Sequence, residues 1–317
     1  MKLATWQTDG TEPRLGAVLG DEIADLTDSG VPALASMLDL MRSGDEGLAA
    51  ARAAVDPAPR TPLDRVRLMS PIPVPESLRD FLSFERHVVQ ALDARRVVDA
   101  AGAPDPEAEA ERLRSHPRFQ IPEVFYKQPI YYKGNRFACV GHDDDVVWPS
   151  FSRLLDYELE MAAWIGRRGR DIPKEEASSY IFGYSIFNDM TARDTQGVEM
   201  PGQLGPAKSK DFDTANVLGP WIVTADEIDV SDLAMVVRIN GQEVSRSSSL
   251  ERLWSFEDAI AHVSASETIY PGEVFGSGTV GSGSGLERWD FLEVGDVIEL
   301  EIEGIGTLRN RVVRHDG

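Results

Sequence analysis

Two glutamates lie two residues apart in the segment DYELEMAAWIG, residues 156–166. The apolar residues around them alternate with polar or small ones, which predicts a β-strand whose successive side chains point to opposite faces. Glu158 and Glu160 would then share one face, and two neighbouring carboxylates repel each other unless a cation lies between them. The segment therefore predicts either a half-solvated strand with both glutamates in water or a metal site.

Other acidic residues and one histidine offer partners for this pair. Asp189 follows the apolar run YIFGYSIF, so it is either a functional acid at the end of a buried strand or a helix cap. Asp80 and His87 would share one face of a helix over residues 81–88, as a metal ligand and a general base would require. A capping aspartate and a surface histidine are the alternative. The acidic segment HDDDVV, residues 142–147, is instead typical of a solvated turn.

The elements that must position these residues are mostly short strands. From about residue 121 onward, apolar runs alternate with glycines, EVFYKQPIYY is predicted to be a strand, and Asn240-Gly241 predicts a β-hairpin. Residues 85–114 are rich in Ala, Arg and Glu, and a proline-containing break at residues 104–106 predicts two short helices. Because the strand spacing does not suggest a parallel βαβ array, we predict a mainly β fold with helices, of the α+β class.

Composition narrows the class of protein. The chain has 317 residues, of which 42% are hydrophobic, so it is long enough to bury a substantial core. Its formal net charge of −21 argues against non-specific binding to nucleic acid or to an anionic membrane. Cys139 is the only cysteine, which excludes an internal disulfide framework and a cysteine zinc site. Since we find neither a signal-peptide core nor a run of 18 apolar residues, we expect a soluble, cytoplasmic protein.

Five segments in succession resemble the fumarylacetoacetate hydrolase family: RDFLSFERH, DYELEMAAWIG, IFNDMTARDTQ, GPAKSKDFDTANVLGPWIV and GSGTVGSGSGLE. The resemblance runs from about Pro71 to Val313. It implies a catalytic domain over residues 71–317 with the family's mixed β-sandwich and roll fold. It also implies a small N-terminal α+β domain over residues 1–70 with a proline-rich connector, a helical insertion over residues 91–120 near the active site, and a homodimer.

The resemblance implies that the paired glutamates bind a divalent cation. The implied metal ligands are Asp80, Glu158, Glu160 and Asp189. An all-oxygen ligand set favours Mg²⁺, with Mn²⁺ or Ca²⁺ as alternatives, and disfavours zinc. Because four carboxylates exceed the charge of one dication, a cationic side chain is expected nearby. Lys210 matches the family's active-site lysine, and Lys208, two residues away, is the alternative.

The resemblance also implies which residues act on the substrate. His87 and Glu287 would form an acid–base dyad, in which the histidine takes a proton from water and the glutamate fixes the histidine tautomer. An ordinary surface loop is the alternative for Glu287. The positions that match substrate-binding residues of the family are Tyr132, Arg193, Gln196 and Thr279.

These residue types favour a metal-dependent hydrolase that cleaves a carbon–carbon bond in a 1,3-diketo acid or an acylpyruvate. Leu82 and Met200 depart from the family, because fumarylacetoacetate hydrolases carry substrate-contacting tyrosines there, so that particular activity is not expected. The alternative is a metal-dependent isomerase or decarboxylase of an oxo or enol acid, similar to 2-hydroxyhepta-2,4-diene-1,7-dioate isomerase or to oxaloacetate decarboxylase. A catalytically inactive metal-binding relative is the third alternative.

Overall fold

A computed structural model describes residues 1–314, in which seven α-helices and twenty-one β-strands form. The helices are α1 (Met37–Arg42), α2 (Gly44–Val55), α3 (Glu85–Ala100), α4 (Pro106–Arg114), α5 (Lys174–Ala177), α6 (Arg193–Glu199) and α7 (Phe256–Ser264). The strands are β1 (Lys2–Gln7), β2 (Arg14–Leu19), β3 (Glu22–Asp25), β4 (Arg60–Pro62), β5 (Arg67–Leu68), β6 (Leu78–Phe81), β7 (Tyr131–Lys133), β8 (Cys139–Val140), β9 (Asp145–Val147), β10 (Leu155–Asp156), β11 (Leu159–Ile165), β12 (Gly169–Arg170), β13 (Ile181–Asp189), β14 (Thr191–Ala192), β15 (Asn216–Thr224), β16 (Ala234–Ile239), β17 (Gln242–Ser248), β18 (Thr268–Ile269), β19 (Val274–Gly276), β20 (Val297–Ile302) and β21 (Gly306–Val313). The predicted α+β class with many short strands is confirmed.

A twelve-stranded mixed sheet carries most of the predicted site residues. Its order is β4-β3-β2-β1-β15-β13-β11-β19-β6-β7, with β5 beside β1 and β8 beside β15. Most neighbours are antiparallel, but β6 runs parallel to β19 and β8 runs parallel to β15. Asp80, Tyr132, Glu160 and Asp189 lie on β6, β7, β11 and β13 of this sheet. Their strands are close together in the sheet order, so a common site on one sheet is geometrically available.

The N-terminal strands extend this same sheet. Strand β1 pairs with β15, with Leu3 opposite Ile222, and β2, β3 and β4 follow outward from β1. Helices α1 and α2 cover the N-terminal strands, and Leu40 of α1 packs in the same buried cluster as Leu3. The predicted boundary near residue 70 therefore falls within one continuous sheet, and the assignment of residues 1–70 as a domain of their own stays a prediction.

A second sheet packs against strand β11, which carries Glu160 and begins just after Glu158. It has five strands in the order β17-β16-β20-β21-β9. The β16–β17 hairpin turns at Asn240 and Gly241, whose φ angles are 52° and 77°, as a two-residue turn with two left-handed residues requires. The hairpin predicted at Asn240-Gly241 is therefore confirmed.

Strand β11 is buried on both faces, which explains why the Glu160 carboxylate cannot reach bulk water. Met161 belongs to a core cluster that includes Met235 and Leu300 of the five-stranded sheet. Trp164, on the opposite face, belongs to the cluster formed with the N-terminal strands and helices. Every residue of β11 is buried. The alternation that the sequence predicts is thus present, but neither face is solvated.

The helices around the site agree only partly with the sequence-based expectations. The two helices predicted within residues 85–114 are confirmed as α3 and α4. Helix α3 ends at Ala100 and α4 begins at Pro106, on either side of the predicted break. The strand predicted for EVFYKQPIYY is wrong in its first half, because Glu123–Tyr126 form a 3₁₀-helix, and Pro129 lacks the N–H that a strand ladder needs. Among the described residues, no helix combines the length and apolar character needed to cross a bilayer.

The helix considered over residues 81–88 is wrong in its first half, since only residues 85–88 are helical. Asp80 lies in strand β6, where it is opposite Gly276 of β19 and Tyr132 of β7, and helix α3 begins only at Glu85. The sheet pairing on both sides of β6 overrides the helical spacing that the sequence suggested. Asp80 and His87 nevertheless both line one chamber, because the chain turns from the end of β6 directly into α3.

Candidate metal and active site

Three carboxylates from three strands form a compact buried cluster. One oxygen each of Asp80, Glu160 and Asp189 can be chosen so that all lie within 4.8 Å of one another. Their exposed fractions are 5%, 0% and 0%, and that of Glu158 is 5%. The half-solvated alternative for the paired glutamates is therefore wrong. The fold places these acids where only a cation, a proton or a hydrogen bond can balance them.

The glycine-rich segment after β19 makes room for this cluster. A side chain at Gly276 would collide with the carboxylates of Asp80 and Glu160, so the strand between them can carry only hydrogen at this position. Gly278 has a φ of 79°, and its N–H donates to Glu160 Oε2 at 3.0 Å. The Thr279 hydroxyl donates to Glu160 Oε1 at 3.3 Å. The segment GSGTVG thus holds both carboxylate oxygens of Glu160 by hydrogen bonds.

Lys210 bridges the cluster to Glu158. Its ammonium donates to Glu158 Oε2 at 2.6 Å, to the Thr191 hydroxyl at 2.7 Å, and to Asp189 Oδ2. The Tyr132 hydroxyl donates to the same Asp189 oxygen at 2.8 Å. Lys208, by contrast, is exposed and lies over the Phe151 ring. Of the two candidate lysines, the structure therefore places Lys210 in the cluster.

Arg193 supplies the second buried cation. Its guanidinium donates to Glu158 Oε1 at 2.7 Å, to Asp156 Oδ2 at 2.8 Å and to Gln196 Oε1 at 3.0 Å. Asp156 is fully buried and also accepts the backbone N–H groups of Gly285 and Leu286. Asp156 is not among the site residues predicted from the sequence, although its spacing of two residues from Glu158 is the same signal that indicated the glutamates.

Burial and mutual repulsion set the charge state of the acids. Burial raises the pKa of Asp80, and burial together with the Asp80 carboxylate raises the pKa of Glu160 well above its ordinary value. Burial also raises the pKa of Asp189, although Lys210 opposes this. For Glu158, burial is outweighed by the charges of Arg193 and Lys210, which lower its pKa. Burial in the absence of a cation therefore favours the protonated forms of Asp80, Glu160 and Asp189, and a bound divalent cation would favour their ionised forms.

The geometry of the cluster fits a divalent cation. Asp189 Oδ1 is buried and has no hydrogen-bond partner among the described residues, so one oxygen is free to act as a ligand. All the atoms available to coordinate a metal ion are carboxylate oxygens. Mg²⁺, Mn²⁺ and Ca²⁺ bind such ligands readily, whereas zinc prefers nitrogen or sulfur. Both oxygens of Glu158 are engaged by Arg193 and Lys210, so its predicted role as a ligand stays a prediction.

His87 and Glu287 meet although they are 200 residues apart in the chain. His87 Nδ1 lies 3.0 Å from Glu287 Oε1, and His87 Nε2 lies 3.9 Å from Glu158 Oε1. Glu287 accepts the backbone N–H groups of Ser282 and Ser284, both at 2.8 Å, and its side chain is 1% exposed. The surface-loop alternative for Glu287 is therefore wrong. The arrangement orients one imidazole nitrogen towards the acids.

A second residue missed from the sequence, Glu199, organises the loop that carries Lys210. Its carboxylate accepts the backbone N–H groups of Ala207, Lys208 and Ser209 at 2.9 to 3.1 Å, and also the Ser209 hydroxyl. These contacts tie the end of α6 to the loop just before Lys210. Neither a local pattern nor the family resemblance indicated Glu199, because its role depends on how the loop folds back.

A chamber of about 360 Å³ brings the predicted site residues together. Its lining includes nine of them: Asp80, His87, Tyr132, Glu158, Glu160, Arg193, Gln196, Lys210 and Thr279. The remaining two, Asp189 and Glu287, contact residues of that lining. The structure thus assembles the whole predicted set in one place, while the catalytic and binding roles of the individual residues stay predictions.

Removing divalent cations is expected to lower the melting temperature. A cation present at about 100 times its Kd stabilises the folded state by about 2.7 kcal/mol, which corresponds to roughly 4 °C in a protein of this size. Differential scanning calorimetry with Mg²⁺ and with a chelator measures the shift. The Asp189→Asn variant serves as the control and should show a smaller shift. Equal melting temperatures of the unaltered protein under both conditions would contradict a cation site.

Comparison with known proteins decides the family. Residues 96–313 match the family model described as Fumarylacetoacetate (FAA) hydrolase C-terminal, and this range covers more than half of the chain. The chain belongs to the fumarylacetoacetate hydrolase family. The family assignment agrees with the α+β fold and with the five segments from which the resemblance was inferred.

Proteins similar to this chain include a hydrolase, an isomerase and a tautomerase. A maleylpyruvate hydrolase from Sphingobium sp. SYK-6, in complex with manganese(II) and pyruvate, has a TM-score of 0.74 and 26% identity, with all of both chains covered. A 5-carboxymethyl-2-hydroxymuconate delta-isomerase from Mycobacterium smegmatis has a TM-score of 0.69 and 25% identity, covering 99% of this chain and 100% of its own. The human mitochondrial oxaloacetate tautomerase FAHD2B is 37% identical over 192 residues, which are 59% of this chain and 60% of that protein.

The manganese in that structural neighbour and the buried acids of this chain together support a divalent-metal site in this member of the fumarylacetoacetate hydrolase family. Hydrolases, isomerases and tautomerases share the fold, so the fold by itself does not select the reaction. The selection depends on which side chains surround the acids.

Proposed function

We propose that this chain is a divalent-metal-dependent hydrolase that cleaves a carbon–carbon bond in a 1,3-diketo acid of the acylpyruvate type. The observation that carries the proposal is the His87–Glu287 pair beside the carboxylate cluster, with 3.0 Å between Nδ1 and Oε1. A hydrolase needs a base for water, whereas a reaction that only moves protons or releases carbon dioxide does not need water as a reactant. The family membership and the acid cluster are common to all the alternatives.

The contacts of Glu287 define the tautomer of His87. Both Glu287 oxygens already accept backbone N–H groups, as expected of an ionised carboxylate, which can only accept hydrogen bonds. His87 Nδ1 must therefore donate its proton to Glu287, and in the neutral imidazole Nε2 then carries the lone pair. Since Nε2 is the nitrogen nearer to Glu158, the basic atom faces the acid cluster.

The proposed chemistry assigns each reacting proton to an atom. A divalent cation held by Asp80, Glu158, Glu160 and Asp189 would supply Lewis acidity towards the oxygens of the oxo acid. His87 Nε2 takes a proton from water, and the water oxygen adds to the acyl carbonyl carbon. The bond between that carbon and the methylene breaks, and its electron pair stays on the methylene carbon. The proton on His87 then returns to this carbon, which leaves a carboxylic acid and a 2-oxo acid.

Lys210 and Arg193 would balance negative charge during this reaction. Both are buried, and both contact Glu158, so they are held in place before substrate binds. Burial alone would lower the pKa of Lys210, but the charges of Asp189 and Glu158 raise it, and the amine therefore stays protonated. We propose Mg²⁺ as the cation, with Mn²⁺ or Ca²⁺ as alternatives, because the donor set is all oxygen.

A substrate screen tests the proposed function. The protein is incubated with acylpyruvates, other 1,3-diketo acids and oxaloacetate in the presence of Mg²⁺ or Mn²⁺, and the products are identified alongside the loss of enol absorbance. We expect an acylpyruvate to give a carboxylic acid and pyruvate in equal amounts, and the chelator-treated protein to be the inactive control. Conversion of oxaloacetate without cleavage of any diketo acid would contradict the hydrolase.

An oxo-acid isomerase or decarboxylase is the second candidate function. The similarity to an oxaloacetate tautomerase favours it, as does the loss of two substrate-contacting hydroxyls that Leu82 and Met200 imply. In that case the keto and enol forms of one acid would interconvert, or carbon dioxide would be released, without any new carboxylate derived from water. Product identification in the same screen separates these outcomes.

A further inference from the structure

The chamber that holds the acids adjoins a second, larger cavity, and the two share lining residues. The chamber has a volume of about 360 Å³ and the second cavity about 880 Å³. Six residues line both: Leu82, His87, Arg193, Gln196, Met200 and Leu286. A molecule bound at the acids can therefore extend past His87 into the second cavity. That volume lies within the roughly 300 to 1,000 Å³ typical of small-molecule sites.

The walls of the second cavity are largely apolar. Helix α3 contributes Val88 and Leu92 from one side, and Phe119, Val198 and Trp289 line the cavity from other segments. Leu82 and Met200 stand at the passage between the two spaces, so this passage carries no hydroxyl group from these two positions. Such walls favour an apolar ligand, because they remove hydrocarbon from water and offer few partners for a polar group.

The charged side chains of this cavity already have partners. Arg193 pairs with Asp156 and Glu158, and Asp194 accepts the Ser152 hydroxyl. Asp99 lies 2.7 Å from the guanidinium of Arg118 and 3.4 Å from that of Arg95. The side chains of Arg118 and Arg95 are 56% and 38% exposed, so water screens both charges. A buried, preorganised site for an anion would instead present an unpaired cation away from water. The cavity therefore favours an uncharged end on whatever it binds.

We propose that the second cavity holds a long apolar arm of the substrate, attached to the reacting end that binds at the acids. The arm is an alkyl chain or an aromatic ring rather than a chain that ends in a carboxylate. The inference rests on the proposed function, in that it places the oxo acid at the carboxylate cluster. It makes Leu92, Val98 and the residues at the passage determinants of substrate specificity.

Binding of three 2-oxo acids that lack the cleavable diketone tests the inference apart from catalysis. Pyruvate, 2-oxooctanoate and 2-oxosuberate are titrated into the Mn²⁺-loaded protein by isothermal calorimetry. Full burial of one methylene is worth about fourfold in affinity, so the five additional methylenes of 2-oxooctanoate should lower Kd at least about 30-fold relative to pyruvate. The diacid 2-oxosuberate has the same number of carbons and should bind at least about tenfold more weakly than 2-oxooctanoate.

Variants on one helix connect this preference to the cavity. Leu92→Asp and, separately, Val98→Asp should each reduce the preference for 2-oxooctanoate over pyruvate by at least about fivefold, since a carboxylate would enter the apolar wall. Val97→Asp is the matched control: Val97 is 58% exposed on the same helix and is not part of the cavity lining, so the preference should stay unchanged. Circular dichroism confirms that each variant is folded.

The outcomes separate this inference from the proposed function. A Kd for 2-oxooctanoate within about threefold of that for pyruvate, or tighter binding of 2-oxosuberate than of 2-oxooctanoate, would overturn the apolar arm and leave the cleavage of acylpyruvates standing. Failure of all three acids to bind would overturn the oxo-acid site itself, and the inference would fall with it. Binding as expected, without cleavage of any diketo acid, would support the arm and contradict the hydrolase.

Discussion

Replacement of His87 by alanine is expected to reduce turnover by about 10² to 10⁴, the usual contribution of a general base. The expectation follows from the geometry: Nδ1 is held by Glu287 at 3.0 Å, and the other imidazole nitrogen faces the acids. Because His87 is not among the three clustered acids, metal binding should persist. Steady-state kinetics on the best substrate found, together with calorimetric titration of Mn²⁺, measures the two effects separately.

Two further variants and labelling with ¹⁸O-water test the role of His87 as the base that activates water. Glu287→Gln keeps the shape of the side chain but removes its charge, so turnover should fall in the same direction as in His87→Ala. His142→Ala makes the same exchange at a histidine that lines neither the chamber nor the second cavity, and it should leave turnover unchanged. In ¹⁸O-water the released carboxylic acid should carry the label. A turnover loss below about threefold in His87→Ala, with no label in any product carboxylate, would refute the hydrolase and favour the isomerase or decarboxylase.

Neutralising one acid of the cluster is expected to weaken metal binding by at least about tenfold. Glu160→Gln and Asp189→Asn each replace a buried carboxylate by an amide of nearly the same size. Each change removes a negative charge from a cluster whose oxygens lie within 4.8 Å of one another, and an amide offers a weaker ligand to a hard cation. Titration calorimetry with Mn²⁺ gives the Kd, and activity in saturating metal shows whether turnover falls as well.

A surface aspartate provides the control for the metal prediction. Asp143 lies in the segment HDDDVV, where it pairs with Arg309 and is about half exposed, so Asp143→Asn should leave the Kd for Mn²⁺ unchanged. Glu158→Gln tests whether Glu158 is a metal ligand, which the structure leaves as a prediction because Arg193 and Lys210 engage both of its oxygens. If neither Glu160→Gln nor Asp189→Asn changes Mn²⁺ affinity, the cation does not bind at this cluster.

Several features of the fold could be predicted from short stretches of sequence. The alternation around Glu158 and Glu160, the turn at Asn240-Gly241 and the two helices within residues 85–114 all depend on neighbours only a few residues away. Backbone periodicity and turn chemistry determine such features, so one chain carries enough information. The turn predicted at HDDDVV is confirmed for its first half, where Asp143 has a left-handed φ of 62°, but Asp145–Val147 form strand β9.

Secondary structure predicted from local residue spacing was wrong where pairing with a distant strand determines the conformation. The spacing of Asp80 and His87 suggested a helix, but β6 is fixed by its parallel pairing with β19, almost 200 residues further along the chain. Similarly, the strand predicted around EVFYKQPIYY contains a 3₁₀-helix. In both segments, hydrogen bonds to remote backbone or the absence of a proline N–H outweighed the local pattern.

Residue types indicated which side chains are candidates for catalysis and metal binding, whereas their proximity depends on the fold. Residue types and the family resemblance indicated the acids, the histidine and two candidate lysines. Only the fold buries Lys210 among the acids, brings Glu287 to His87 across 200 residues, and places an apolar cavity beside the chamber. The physical reason is that side-chain identity is local, while distance, burial and charge state depend on sheet order and on contacts between remote segments.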